Sequence, residues 1–198
     1  MAFKRIGIAG YMGAGKSTAA RILASSALAG GGLIIDADLE AKALMTEDQT
    51  IRHQLAAAFG ESIIGKDGLS FGTLGRIVFG SKEKLLRLNA IVHPALVRRL
   101  RSMLLQEHGE DSRILDAALL PLWNIESFFD TCIWVHARFE TRLERLRRTR
   151  TDLSEQALRD RMRMQEESLP APVGMPWKQV DNNGDLKQLT RRLAGLRP

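Results

Sequence analysis

Short apolar runs alternate along this chain with longer stretches in which apolar positions recur at helical spacing. The runs at Arg5–Ala9, 33–35, 113–119 and 132–136 are each too short for a typical helix, and each leads into a polar or glycine-containing turn, which predicts strands. Helical patterns fill the intervals over 16–29, 40–45, 50–59, 83–88 and 94–107, and a last short strand near 177–180 precedes a helix over 186–193. Strands alternating with helices predict an α/β fold of three layers, a parallel sheet with helices on both faces.

The spacing of these elements is uneven. Only a few residues part the first helix from the second strand, while more than seventy part that strand from the one at Arg113, and most of that interval is helical. This predicts a helical insertion over 40–109 rather than a long loop. A second helix-rich stretch, 140–167, is dense in arginine and runs into Pro170, Pro172, Gly174 and Pro176, which stop the helix and turn the chain. No internal repeat is visible.

The first strand leads into Gly10-Tyr11-Met12-Gly13-Ala14-Gly15-Lys16-Ser17, which fits the phosphate-loop pattern G-x-x-x-x-G-K-[ST] at every fixed position. Glycines let backbone N–H groups curl round a β-phosphate, Lys16 reaches the β/γ oxygens, and the Ser17 hydroxyl is placed to ligate Mg²⁺. The helix that follows, with Thr18 in its first turn, points its N-terminal dipole at the anion. The pattern predicts a chain that handles a nucleoside triphosphate.

A chain of 198 residues with 44% apolar content buries a real core and suits one domain with insertions better than two full domains. The N-terminal apolar stretch is broken by glycines and enters the phosphate loop, so it does not read as a signal peptide, and no stretch approaches the length of a membrane span. Cys132 is the sole cysteine, which rules out a disulfide within the chain, reads as a buried strand thiol and fits a reducing cytoplasm. The net charge of +6 raises nucleic acid as a partner, yet the basic residues concentrate at 98–101 and 138–163 among many acids. With one Tyr and three Trp the chain lacks the aromatic interleaving of a nucleic-acid binder. A solvated helix face or a phosphate-rich small-molecule substrate accounts for the same arginines, so neither nucleic acid nor membrane is expected as a partner. Apolar faces on an insertion serve lid docking and self-association alike, which leaves the oligomeric state open.

Asp36-Ala37-Asp38 follows the second strand at once, at the carboxyl edge where open α/β sheets bind ligands. A carboxylate there holds or deprotonates an attacking hydroxyl in phosphoryl transfer, and Asp38 fits equally an N-cap for a helix starting at Leu39 or Glu40. Asp116 is expected inside the third strand, where an unpaired carboxylate is costly. It reads as an organiser of Mg²⁺ and its waters, or as a carboxylate at a strand end satisfied by backbone. His93-Pro94 reads as the opening of a helix with proline in its first turn, and His93 as its cap or as a site residue. Arg145, Arg147, Arg148 and Arg150 form a mostly solvated face, from which one or two would clamp transferring phosphate.

Taken in order, the phosphate loop, Asp36-Ala37-Asp38, Arg76-Ile77-Val78-Phe79, Leu88-Asn89-Ala90-Ile91-Val92-His93-Pro94, Leu115-Asp116, the arginine-rich stretch and Val180-Asp181-Asn182-Asn183-Gly184 resemble the dephospho-CoA kinase family over nearly the whole chain. The N-A-x-x-H-P stretch is the more diagnostic part, since many nucleotide-binding families share the phosphate loop. The resemblance implies a P-loop kinase core over 1–39, 110–139 and 177–198, a helical acceptor-binding insertion over 40–109 and a helical lid over 140–176. It implies ATP-dependent phosphorylation of the ribose 3′-hydroxyl of dephospho-CoA, giving coenzyme A, with Mg²⁺.

The roles it implies are Asp38 as the catalytic acid at the substrate hydroxyl, Lys16 at the nucleotide and in catalysis, and Ser17 at nucleotide and metal. Gly10, Gly13, Ala14, Gly15 and Thr18 complete the nucleotide cradle, Asn182 lies by the adenine end, and Arg145 or one of its neighbours comes from the lid as a catalytic residue. Asp116 serves metal and acceptor, Arg76, His93 and Arg161 serve acceptor binding, and Arg161 with Gln165 matches an R-x-x-x-Q pattern. Ala118 stands where the family usually has proline, Leu122 where it has glutamate, and Phe71-Gly72 where an arginine is common. Met175-Pro176-Trp177-Lys178 lacks the usual alanine-aspartate pair. These differences fall on the acceptor and lid sides and leave the triphosphate side intact. A kinase of another nucleoside or nucleotide, and an ATP-binding protein without transfer, would share the same core.

Overall fold

Alternation within Arg5–Ala9 sends Ile6 and Ile8 to one face of a sheet and Gly7 to the other. In the computed structural model, which describes residues 5–25, 32–66, 68–106 and 112–196, the elements in chain order are β1 (Arg5–Ala9), α1 (Lys16–Ala24), β2 (Gly32–Asp36), α2 (Ala37–Glu47), α3 (Gln49–Phe59), β3 (Ile64–Gly65), β4 (Gly68–Leu69), α4 (Phe71–Val78), α5 (Lys82–Leu105), β5 (Ser112–Asp116), β6 (Thr131–His136), α6 (Phe139–Thr149), α7 (Glu155–Ser168), β7 (Trp177–Asp181) and α8 (Leu186–Ala194). They divide into two units, Met1–Asp36 with Leu104–Pro198, and Ala37–Met103.

The first unit carries a sheet of order β2-β5-β1-β6-β7 in which every pairing is parallel. The chain passes from one side of central β1 to the other between β5 and β6. The carboxyl end of β1 is therefore a topological switch point, and residues 10–15 leave the sheet there. Ile6, Ile8, Ile114, Ile133 and Val135 pack with Ala19, Ala20 and Leu23 of α1 and Leu189 and Leu193 of α8. Burying each large apolar side chain contributes about 1.5–3 kcal/mol. That core holds the carboxyl ends of the strands in place while they carry costly polar groups such as Asp116.

The expected end of the third strand needs correction. The third sheet strand in sequence, β5, stops at Asp116 rather than at Leu119: after Ala117 N–H donates to Ile8 O of β1 at 2.9 Å, the chain leaves the sheet for a short helical turn at Leu120–Leu122. Asp116 is thus the last residue of its strand and not an interior one. The first helix is described to Ala24, and the rest of its expected length, 26–29, lies outside the described residues.

In the second unit α3 is capped by Asp48, whose carboxylate accepts from Ile51 N–H at 3.1 Å, and α4 by Ser70. The short β3–β4 hairpin, which the helical reading of the insertion omitted, lies between them. Arg99 ties α5 to α2 with hydrogen bonds to Glu40 and Glu47, each 2.7 Å, and these bonds, that to Glu47 first, hold its guanidinium above the usual range.

The expectation of two helices at 83–88 and 94–107, with His93-Pro94 opening the second, is overturned. One helix runs through Pro94, so His93 is an interior residue of that helix and not its cap. Interior proline costs a helix ~3 kcal/mol or more. Buried Val92, Leu96, Leu100 and Leu104 recur every fourth residue through the proline, and that continuous stripe outweighs the loss. Residues 107–109, the expected end of the insertion, lie outside the described residues.

Candidate active site

Between β1 and α1 the backbone follows a path that only glycine takes easily. Gly10, Gly13 and Gly15 have φ of 152°, 76° and 97°. A Cβ on Gly10 would stand 2.4 Å from Val135 O, and one on Gly15 would stand 2.3 Å from Asn182 Nδ2. The loop is therefore pressed between β6 on one side and the chain after β7 on the other. Ala14 N–H donates to Tyr11 O at 3.1 Å, closing the turn.

Asn182 braces the loop from below. Its Nδ2 donates to Ala14 O at 2.7 Å, and its own N–H donates to His136 O at 2.7 Å, which joins the carboxyl ends of β6 and β7 to the loop. Arg145 of α6 donates from Nη2 to Asn182 O at 2.9 Å and from Nη1 to Gly13 O at 3.5 Å. One guanidinium thus touches the loop and its brace together, with N–H groups left over for an anion.

Ser17, in the first turn of α1, donates from Oγ to Asp116 Oδ2 at 2.6 Å. Asp116 is only 7% exposed and stands beside Asp36 in the β2–β5 register. A side-chain hydroxyl of the phosphate-loop pattern is thus among the partners of Asp116, and its carboxylate faces the loop. Lys16 and Thr18 occupy the same first turn, at the helix end that favours anions.

Arg161 lies on α7. Burial, and then the like charge of Arg150, pull its pKa down against the opposing pull of Asp152. Two guanidiniums near one carboxylate leave net positive charge there, between the end of α6 and α7. Arg147 and Arg148 are exposed and pair with Glu155 and Glu144, as a solvated face predicts. Arg142 departs from that reading: it is 1% exposed, donates from Nε to Ala137 O at 3.1 Å and pairs with Glu166. No local signal distinguished it from its arginine neighbours.

The structure brings Gly10, Gly13, Ala14, Gly15, Lys16, Ser17, Thr18, Asp116, Arg145 and Asn182 to one end of one sheet. Three other expected site residues lie in the helical unit. Asp38 is exposed in the first turn of α2, so it is not the N-cap of a helix starting at Leu39 or Glu40. Arg76 is exposed on α4 and donates to Thr73 Oγ1 at 3.3 Å. His93 is half-buried in α5, and that burial lowers its pKa. Phe71, where the family commonly has an arginine nearby, opens α4 at 37% exposure.

A family profile described as dephospho-CoA kinase matches residues 4–187. The chain belongs to the dephospho-CoA kinase family. Among curated relatives it is 33% identical over 193 residues to the dephospho-CoA kinase of Thermobifida fusca, covering 96% of this chain and 92% of that one. It is 32% identical over 194 residues to that of Carboxydothermus hydrogenoformans, covering 96% and 91%. A crystal structure from Thermus thermophilus aligns with a TM-score of 0.69 at 28% identity over 98% of this chain and 96% of that one. The dephospho-CoA kinase of Campylobacter jejuni aligns at 0.60 with 19% identity, over 96% and 94%, a likeness of fold. Mixed α/β architecture around a parallel sheet is therefore shared with the family's solved members. No helix among the described residues is long and apolar enough to cross a membrane.

Proposed function

We propose that the chain is an ATP-dependent phosphotransferase that phosphorylates the ribose 3′-hydroxyl of dephospho-CoA and yields coenzyme A. The observation that carries this reading is a match to the family from residue 4 to residue 187; the Ser17–Asp116 hydrogen bond and the contact of Arg145 with Asn182 support it.

ATP would lie with its β- and γ-phosphates in the curl of Gly13–Ser17, where backbone N–H groups and Lys16 neutralise charge that grows in the transition state. Ser17 and Asp116 would hold Mg²⁺. The donor set suits that ion: a hydroxyl and a carboxylate are oxygen ligands, 2.6 Å apart, and Mg²⁺ commonly takes one or two protein ligands and fills the rest with water and phosphate. The chemistry such an ion would supply there is positive charge to offset that of the phosphates. Arg145 would turn its spare N–H groups to the transferring phosphoryl, and Arg161 would add positive charge from α7. Asp38 would hold the acceptor hydroxyl and take its proton as that oxygen bonds to the γ-phosphorus and the bond from this phosphorus to the β,γ-bridging oxygen breaks, releasing ADP. Arg76 and His93 would serve acceptor binding in the helical unit, and reaction in the cytoplasm fits the single buried thiol.

The test is a coupled assay of ATP consumption with dephospho-CoA beside a panel of nucleoside monophosphates, with the product identified by mass. Multi-turnover formation of coenzyme A is the expected result. Faster turnover of a monophosphate would reassign the acceptor, and tight ATP binding with no acceptor phosphorylated would make the chain a nucleotide-binding protein without transfer.

A further inference from the structure

Met12 belongs to the phosphate loop by sequence and to the lid by contact. Its N–H donates to Gln165 Oε1 at 2.7 Å, and its side chain packs against the lid's own core of Leu143, Leu146, Leu158 and Met162. The preceding residue is tied to the same place. Tyr11 donates its hydroxyl to Leu169 O, the C-cap of α7, at 3.0 Å and sets its ring edge-on to Trp134 with centroids 4.9 Å apart. Burial and the Glu166 carboxylate raise the Tyr11 pKa, so the phenol stays a donor. Over its ring, 5.0 Å from the centroid, lies the buried guanidinium of Arg142, itself paired with Glu166 of α7. Hydrogen bonds from two consecutive loop residues therefore end on one lid helix.

We propose that Gln165 is a positioning residue for ATP. Its amide oxygen holds the apex of the phosphate loop through Met12 N–H, so the N–H groups from Gly13 onward keep the curl that receives the triphosphate. A neutral amide suits this place: it accepts the hydrogen bond without setting a negative charge beside an anion site. The second hydrogen bond, from Tyr11, supports the same segment, and the two act as one strut between α7 and the loop. The inference rests on the ATP reading above and adds a residue that touches neither nucleotide nor acceptor.

The experiment measures ATP affinity by calorimetry and turnover in Gln165→Leu, in Tyr11→Phe and in the double variant. Gln165→Leu, close in size but without an acceptor, should weaken ATP roughly tenfold, as loss of one hydrogen bond's worth of loop order would. Tyr11→Phe should weaken it by about threefold, and the double variant by less than the product, because both bonds hold one segment. Affinity for the acceptor should stay within about twofold in each. A folded Gln165→Leu protein with lower Tm but unaltered ATP affinity would reduce the contact to packing and overturn the proposal. If that variant fails to fold, Tyr11→Phe decides alone, and unaltered ATP affinity there overturns it. An unmodified chain that binds no ATP would overturn the ATP reading itself, and the proposal with it.

Discussion

Ser17 Oγ and Asp116 Oδ2 stand 2.6 Å apart, so the first helical turn after the phosphate loop is bonded to the last residue of the neighbouring strand β5. A buried carboxylate with a hydroxyl donor is affordable where an unpaired one is not. The same two oxygen-bearing groups would face Mg²⁺ and its waters. Asp116→Asn keeps the shape and removes the charge, and should lower kcat by about 10²-fold while shifting the Mg²⁺ midpoint to higher concentration. Turnover titrated with Mg²⁺ measures both, and an unchanged midpoint would remove Asp116 from the metal's surroundings.

Gly15→Ala tests the backbone path. At φ of 97° an added Cβ is strained, by about 1–2 kcal/mol, and would stand 2.3 Å from Asn182 Nδ2. The brace under Ala14 must then shift, so ATP binding should weaken by at least about tenfold in calorimetry. Wild-type affinity would mean that the loop tolerates displacement of Asn182.

Asp38→Asn separates chemistry from binding. If Asp38 holds and deprotonates the acceptor hydroxyl, single-turnover rates should fall by about 10²–10⁴-fold with ATP affinity nearly unchanged. Lys16→Ala should remove transfer altogether. Ordinary rates in Asp38→Asn would cancel the role given to that carboxylate.

Burial, with a smaller contribution from Glu126, pushes the Cys132 thiol from 9.0 up to about 12. The folded chain therefore holds its proton where the unfolded chain has lost it, and the slope of stability with pH is negative between those values. Stability from this group should be full below about pH 9 and decline toward pH 12. Denaturation midpoints across alkaline pH, compared with Cys132→Ala, isolate the effect. Thiol reagents at pH 8 should label Cys132 only as the chain unfolds.

Much of the nucleotide half of the site was legible in the chain itself. Gly10, Gly13, Gly15, Lys16 and Ser17 lie within one turn and helix start, so their spacing encodes their geometry. The strands at Arg5–Ala9 and Thr131–His136 were legible because a parallel sheet covered on both faces needs continuous apolar runs. Helix continuity was not. Proline at position 94 signals a boundary to any local reading, and only burial of Val92, Leu96, Leu100 and Leu104 keeps α5 whole.

By itself the sequence determined the alternating α/β order, the phosphate loop and the family, since each depends on residue types at fixed short spacings. Tertiary structure alone decided that Asn182 braces Ala14, that Ser17 meets Asp116, and that Arg142, one arginine among many, is the buried one. The physical reason is distance along the chain. Periodicity and turn chemistry act over a few residues, whereas these partners lie 168 and 99 residues apart and meet only because the strand order sets β5 and β6 on either side of β1 and β7 beside β6.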